Sequence, residues 1–396
     1  MKFIEYMKTQ YLSFILLLLA FSSCTEKELQ PISTSLGKPG IVTDITVEPT
    51  AGGATVSYKI PNSEDLLAVK CVYTLPNNNK TQEVTASYFE NKLFIQGYND
   101  TQEHSATLYA INRAQELSDP VEIKFRPLES PLSKAIKTVT IEADFGGARF
   151  NWRNPEKEPL NVEFFGPDTL GQMSTLKIMT TDIDKNTYSI RGYDPEPYKF
   201  SMVISDNYEN YSDTISAEVL PMFEEKLDKK KMSVMMLSND PSLTNWEGRD
   251  SYLIDDILSN YGHTLNNTLP APITIDLGCM AKLSRFVMHQ RYFSDTYYNH
   301  GNPRKMEVYT CDHKPDPSGD WSEWTKIMDC EITKPSGSPG NTVTDLDMET
   351  AKNGHEFSFE LSQAPMRYIR IVILSTWGGT TFTHPAEIDF YGDIQE

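Results

Sequence analysis

The chain has 396 residues, with 36 Lys and Arg against 55 Asp and Glu for a net charge of −19, and it is 39% hydrophobic and 11% aromatic. A polyanion of this strength has no general attraction for phosphate backbones, which argues against a nucleic-acid binder, and the apolar content is enough to build cores, which argues against global disorder. Five cysteines exclude a disulfide-dense scaffold, and the length suggests two to four domains at roughly 100–200 residues each.

Residues 1–23 read as a targeting segment. Lys2 and Lys8 outweigh Glu5, and Tyr11–Phe21 (YLSFILLLLAF) is an apolar run of 11 residues. That is too short for a bilayer, which needs about 20 residues, and it suits the h-region of a secretory signal. The run ends Phe21-Ser22-Ser23-Cys24, which resembles a bacterial lipobox with Phe21 where Leu is usual. Cys24 is then the expected lipidated N-terminus. The following Thr25-Glu26-Lys27-Glu28 is similar to the surface-export signal of Bacteroidetes lipoproteins. A lipid anchors a chain without making it span, so the expected location is the outer membrane, on the cell surface. Residues 24–38 read as a linker.

The next two segments are copies of one unit. Residues 52–66 (GGATVSYKIPNSEDL) align with 146–160 (GGARFNWRNPEKEPL). Farther on, Ile95-x-Gly97-Tyr98 meets Ile190-x-Gly192-Tyr193, and Ser118-Asp119 meets Ser212-Asp213. Each copy carries short β-branched or aromatic runs between turn signals, such as Ala54–Ile60, Ala68–Leu75, Lys92–Gly97 and Ala106–Ile111. Regular short strands of this kind predict seven-stranded sandwiches of the immunoglobulin or fibronectin III type over residues 39–128 and 129–224. Tyr58 and Trp152 occupy matching inward positions. The Pro-rich stretches at Arg126–Ser133 and Pro221–Leu227 read as joints, and Glu224–Lys231 as a charged linker or short helix.

Residues 225–396 hold no further copy. Strand-like runs at Ile273–Leu277, Leu283–His289, Lys305–Thr310, Thr325–Asp329, Glu356–Leu361, Arg367–Leu374 and Glu387–Tyr391 alternate with long aromatic-rich loops. This predicts a jelly-roll-like sandwich with functional loops at one end. The whole chain is therefore expected to be all-β. Cys71, Cys279, Cys311 and Cys330 lack zinc spacing. In a hairpin of 304–311 with 321–330 the last two are too far apart to bridge, so all four thiols are expected to be buried and reduced.

Three stretches of the last segment carry a resemblance: Arg367-Tyr368-Ile369-Arg370-Ile371-Val372, Ser375-Thr376-Trp377, and Ala386-Glu387-Ile388-Asp389-Phe390-Tyr391-Gly392. With Leu253-Ile254-Asp255-Asp256 and Ile273–Phe286, they resemble a discoidin, or factor V/VIII type C, galactose-binding-like domain. The order of the parts, a lipobox, two fibronectin-like units and a discoidin-like unit, is similar to a family of Bacteroidetes surface lipoproteins of polysaccharide-utilisation systems. That resemblance implies carbohydrate binding by the last segment. It also implies a structural Ca²⁺ held by Asp255 and Glu387, since a hard cation takes carboxylate oxygens. Two departures stand against the calcium: Asp256 where the family has Gly, and Asn260 where it has Thr.

Sugar recognition needs an aromatic face for the ring and planar polar groups for the hydroxyls. The loop Arg291–Pro303 (RYFSDTYYNHGNP) supplies Tyr297, Tyr298, Asn299, His300 and Arg291 as candidates. Trp246 is a candidate second wall and Trp377 a further one. Tyr292 and Phe293 are expected to plug the end of the sandwich. No nucleophile elbow, H-E-x-x-H or P-loop motif occurs, and units of this size leave no room for a typical catalytic barrel of about 250 residues. The expectation is a non-catalytic lipoprotein that captures polysaccharide or oligosaccharide, in company with other outer-membrane uptake proteins. The alternative is a structural lipoprotein whose last unit docks a partner protein, because fold alone does not settle function.

Overall fold

The computed structural model describes residues 33–340 and 342–395. The expected signal segment, and Cys24 with it, lie outside the described residues. No helix among those described is long and apolar enough to cross a membrane.

The first sandwich sets β1 (Thr43–Thr50), β2 (Gly53–Lys59) and β5 (Lys92–Ile95) in a sheet of order β1-β2-β5. Facing it are β3 (Leu66–Thr74), β4 (Thr81–Ser87), β6 (His104–Asn112) and β7 (Val121–Phe125), in the order β4-β3-β6-β7. Three strands against four in this antiparallel order is the fibronectin III arrangement. Alternation drives it: β2 buries Ala54, Val56 and Tyr58 while β3 buries Val69, Cys71 and Tyr73, so each strand turns one row to the shared core. The second sandwich repeats the plan with β8 (Thr140–Asp144), β9 (Gly147–Arg153), β10 (Leu160–Pro167), β11 (Met173–Thr181), β12 (Lys185–Ile190), β13 (Tyr198–Ser205) and β14 (Ile215–Val219). Its sheets run β12-β9-β8 and β11-β10-β13-β14. Trp152, the partner of Tyr58, is buried among Phe150, Phe164 and Val162.

The repeated glycine pair has a steric cause. A Cβ on Gly53 would lie 1.8 Å from the Ile95 carbonyl oxygen, and one on Gly147 would lie 1.8 Å from that of Ile190. Neither position admits a side chain.

The joints are built rather than loose. Ser130 caps a short helix, Pro131–Ile136, through its Oγ, which accepts from Ser133 N at 2.9 Å. Tyr208 of the second sandwich packs on the first core, and Asn210 Nδ2 donates to Gly97 O at 3.0 Å in a buried contact. Between the second and third sandwiches, Glu224 accepts from Arg285 at 3.1 and 2.9 Å. Arg191 reaches Glu224 at 3.5 Å and Glu356 at 3.4 Å.

The third sandwich comprises β15 (Glu225–Lys226), β16 (Ser233–Met235), β17 (Ala271–Gln290), β18 (Pro303–Cys311), β19 (Thr325–Glu331), β20 (His355–Ser358), β21 (Met366–Thr376) and β22 (Pro385–Gln395). The two runs expected at Ile273–Leu277 and Leu283–His289 are one strand of 20 residues. Its first part pairs with β16 and β21, and its second part with β20 and β22. A register shift between Asp276 and Ala281 lets it serve both layers. Ile273, Ile275, Phe286, Met288, Val308, Ile371 and Phe390 fill the space between the layers.

Several expectations change here. Residues 224–231 are not a linker: β15 pairs with Gly392 and Tyr391 of β22, Leu227 enters the core, and Lys229–Lys231 form a 3₁₀ turn. Arg370, on the outward face of β21, is fully buried between two loops, one bringing Asp240 and the other Trp321 over it. A helix at Asp345–Asn353, started by a Thr344–Asp347 capping box, joins the module. The four cysteines among the described residues are free, and Cys279 is half-buried where burial was expected. Cys330 pairs with Met306, well along the ladder from Cys311.

Candidate functional site

A cleft of about 520 Å³ opens at the loop end of the third sandwich, lined by Trp246, Glu247, Tyr261, His263, Asn266, Arg291, Phe293, His300 and Phe382. Four separate loops build it, and hydrogen bonds tie them together. Tyr261 Oη donates to Trp246 O at 2.7 Å, and His263 N donates to Leu243 O at 2.7 Å. Gly378 N donates to His300 O at 2.7 Å, and His384 N to Gly301 O at 2.9 Å. Trp246, Glu247 and His300 all take left-handed backbone, at φ of 51°, 68° and 48°. Such strained non-glycine residues persist only where the surroundings over-determine them, and they gather at functional sites. Gly301 is obligatory, since a Cβ there would meet His384 Cδ2 at 2.6 Å.

The walls are stacked rings. His263 lies flat on Phe382 at 4.9 Å and His300 on Phe293 at 4.7 Å. The Arg291 guanidinium sits over the Tyr261 ring at 3.5 Å and near Phe293 at 4.9 Å. It forms no ion pair among the described residues, so its N–H donors are free for a ligand. Burial lowers its pKa, with the charges of Tyr261 and Glu247 acting the other way. Trp246 is 74% exposed and presents an open indole face at the rim.

The surroundings favour the neutral imidazoles. Burial, then the neighbouring Arg291 charge, lowers His300; burial lowers His263 most, against its hydrogen bond to Thr264. His384, directly beneath, is pushed down to about 3 by burial. Its Nε2 accepts from Gly301 N at 2.9 Å and lies 3.1 Å from His300 Nδ1. That fixes the proton of His300 on Nδ1 and leaves Nε2 as an acceptor. His263 Nδ1 donates to Thr264 O at 2.7 Å, leaving its Nε2 likewise an acceptor. The cleft thus offers an indole face, a guanidinium donor, two imidazole acceptors, the Asn266 amide and the Glu247 carboxylate.

Trp246, Arg291 and His300 are therefore brought together as expected from the sequence, and four other candidates are not. Tyr298 is 1% exposed and belongs to the core. Its backbone N donates to Gln290 Oε1 at 2.6 Å, and its ring meets Trp377 edge-on at 5.1 Å. Trp377 packs on that core between Arg304 and Lys334, away from the cleft. Tyr297 packs against the core and Tyr292. Asn299 is spent on its own loop, with Nδ2 donating to Phe293 O at 2.8 Å. Phe293 lines the cleft and Tyr292 is exposed, so neither plugs the sandwich. The sequence reading missed Tyr261, His263 and Phe382, because nothing local marks them: His263 and Phe382 meet only through the fold.

The residues assigned to calcium do not fit it. Asp255 accepts from Ile257 N at 2.9 Å and from Asn260 Nδ2 at 2.6 Å, so each of its carboxylate oxygens is already engaged within its own turn. Glu387 is 1% exposed and accepts from the Lys229 ammonium at 2.6 Å. Among the described residues, the one cluster of three ligand atoms with metal-like spacing is Cys311, Asp312 and His313, on a different loop.

Three family models, each described as a domain of unknown function, match successive parts of the chain: DUF4959 over residues 39–127, DUF5126 over 128–230 and DUF5000 over 251–392. No curated protein matches. Among solved structures, a SusE-like protein is 30% identical, over 66% of this chain and 98% of that one, with a TM-score of 0.44. The C-terminal domain of a chitobiase from Bacteroides fragilis is 17% identical over 43% of this chain and all of that one, at a TM-score of 0.31. CBM32-1 from a family 31 glycoside hydrolase of Clostridium perfringens is 17% identical over 42% of this chain and 96% of that one, at a TM-score of 0.28.

Proposed function

The chain belongs to the SusE-like family, and from that premise we propose that it is a glycan-binding lipoprotein whose third sandwich holds the sugar. The observation that carries this is the cleft itself: an exposed Trp246 beside an unpaired Arg291 and two neutral imidazole acceptors. A sugar ring has an apolar C–H face and a belt of hydroxyls that both donate and accept. Trp246 takes the face, Arg291 donates, and His263, His300 and Glu247 accept. The role is binding without catalysis. Glycoside hydrolysis usually employs two carboxyl groups flanking the scissile bond, and among the described residues that line the cleft Glu247 is the one carboxylate.

In this reading Cys24 carries the lipid and the two fibronectin units hold the cleft away from the outer membrane. Polysaccharide captured there is passed to neighbouring uptake proteins. A single cleft of this kind binds weakly, at about −4 to −8 kcal/mol, and repeated copies on a crowded surface raise the effective affinity.

The test is affinity electrophoresis of the mature chain through gels containing a panel of polysaccharides, repeated with Trp246→Ala and Arg291→Ala. Retardation of the wild type that both variants lose supports the assignment. Retardation that survives in both variants removes the cleft from the reading. A blank panel with folded protein favours docking of a partner protein instead.

A further inference from the structure

Lys229 is a buried lysine in a place where the fold gathers carboxylates. It sits in the 3₁₀ turn between β15 and β16 of the third sandwich, and its side chain is 4% exposed. Its ammonium meets Glu387 Oε1 at 2.6 Å, Asp256 Oδ1 at 3.1 Å, and Asp389 in a short ion pair. Lys226 bridges two of the same groups, Asp256 at 2.8 Å and Asp389 at 2.9 Å. Asp389 also lies 3.3 Å from His289 Nε2. The second oxygen of Glu387 is buried with no hydrogen-bond partner.

A buried carboxylate survives only beside a compensating positive charge. A lysine ammonium is a compact charge with three donors, and here three carboxylates surround it. Lys226 and Lys229 together supply the two positive charges that a divalent cation would bring. The departure from the resembled pattern at Asp256 belongs to this arrangement. Asp256 adopts the left-handed backbone, at φ 62°, that glycine would take without strain, and its carboxylate turns onto both lysines. Burial works against the Lys229 ammonium and against the ionised Asp389. The surrounding contacts and opposite charges together outweigh it in both, holding the lysine pKa up and the aspartate pKa down.

We infer that Lys229, seconded by Lys226, is an internal replacement for a divalent cation, and that this cage clamps the Asp255–Asp256 turn to β22 without metal. The clamp braces the segment that leads from the Trp246 loop through the 3₁₀ turn Asp250–Ile254. It stands whether or not the cleft binds a glycan.

The test is thermal unfolding of the mature chain with EDTA and with millimolar Ca²⁺, alongside Lys229→Ala. The wild type should melt at the same temperature in both solutions, whereas a rise with Ca²⁺ overturns the inference. Lys229→Ala should melt lower in EDTA and recover by about 2–4 °C or more in Ca²⁺, because a ligand of the folded state stabilises it. If Lys229→Ala does not fold in EDTA, Lys229→Gln keeps most of the stem and loses only the charge. Calorimetric titration should then find one Ca²⁺ bound per variant chain and none per wild-type chain. A variant that binds no Ca²⁺ overturns the claim that the cage is a cation site.

Discussion

Acid should unfold the third sandwich before the other two, and the buried imidazoles set how steeply. Burial pushes His384 down to about 3 and His355 to about 4, from an ordinary 6.5. His384 Nε2 accepts from Gly301 N, and His355 Nε2 lies 3.3 Å from the Gln290 amide nitrogen. Protonation would turn each acceptor toward a group that also donates. The unfolded chain takes up these protons as pH falls through 6.5, and the folded chain refuses them until far lower pH. The stability that the neutral rings contribute is therefore whole above pH 7 and is lost progressively below 6.5. At pH 5 the gap is about 1.5 units for each ring, about 2 kcal/mol apiece and about 4 kcal/mol together. For a unit of about 170 residues this lowers Tm by about 8–16 °C between pH 8 and pH 5. Asp389, held low, stays ionised through that range, so the lysine cage survives, while Glu387, raised by burial, works in the opposite direction. Intrinsic tryptophan fluorescence is a suitable readout, since Trp246, Trp321, Trp324 and Trp377 are four of the five tryptophans. A third-sandwich transition that moves less than about 3 °C over this range would refute the reasoning.

Trp246→Ala should weaken glycan binding by about 30-fold, or about 2 kcal/mol, with Tm unchanged because the ring is exposed; titration calorimetry and a melt check both. Tyr298→Ala should cost about 3–5 kcal/mol of stability in denaturant unfolding, whereas Tyr298→Phe should be neutral or stabilising, because its buried hydroxyl has no partner. A chain beginning at residue 233 should be far less stable than one beginning at residue 221, since it loses Leu227 from the core and leaves Glu387 and Asp389 without Lys229. Stranding buried charges in this way costs about 3–5 kcal/mol, to be read by comparing the two melts. Cys24→Ala should move the protein from the membrane to the soluble fraction; continued membrane association would contradict the lipid anchor.

Strand alternation is readable in the sequence, because a half-buried strand writes its inward row into every second residue. Tyr58 and Trp152 are core residues for that reason, and the repeat itself announced two copies of one sandwich. The Gly53 and Gly147 positions were visible as a pattern, although the carbonyl that excludes a side chain there belongs to another strand. The loop 291–303 shows the limit. Its tyrosines look equivalent in sequence, yet Tyr298 turns into the core while Arg291 and His300 face the cleft. A loop has no period to assign its faces.

Composition, the signal-like leader, the repeat and the strand rows were properties of the sequence by itself, since each depends on residues near one another in the chain or on their totals. Tertiary structure decided which aromatic rings meet a ligand and what neutralises the buried acids. Both depend on groups far apart in sequence: Trp246 with Arg291, and Lys229 with Glu387. Residues 224–231 read as a charged linker or short helix because nothing within the segment shows which distant carboxylates its lysines meet. The fold carried Glu387 and Asp389 to them, and a buried carboxylate must be met by a positive charge.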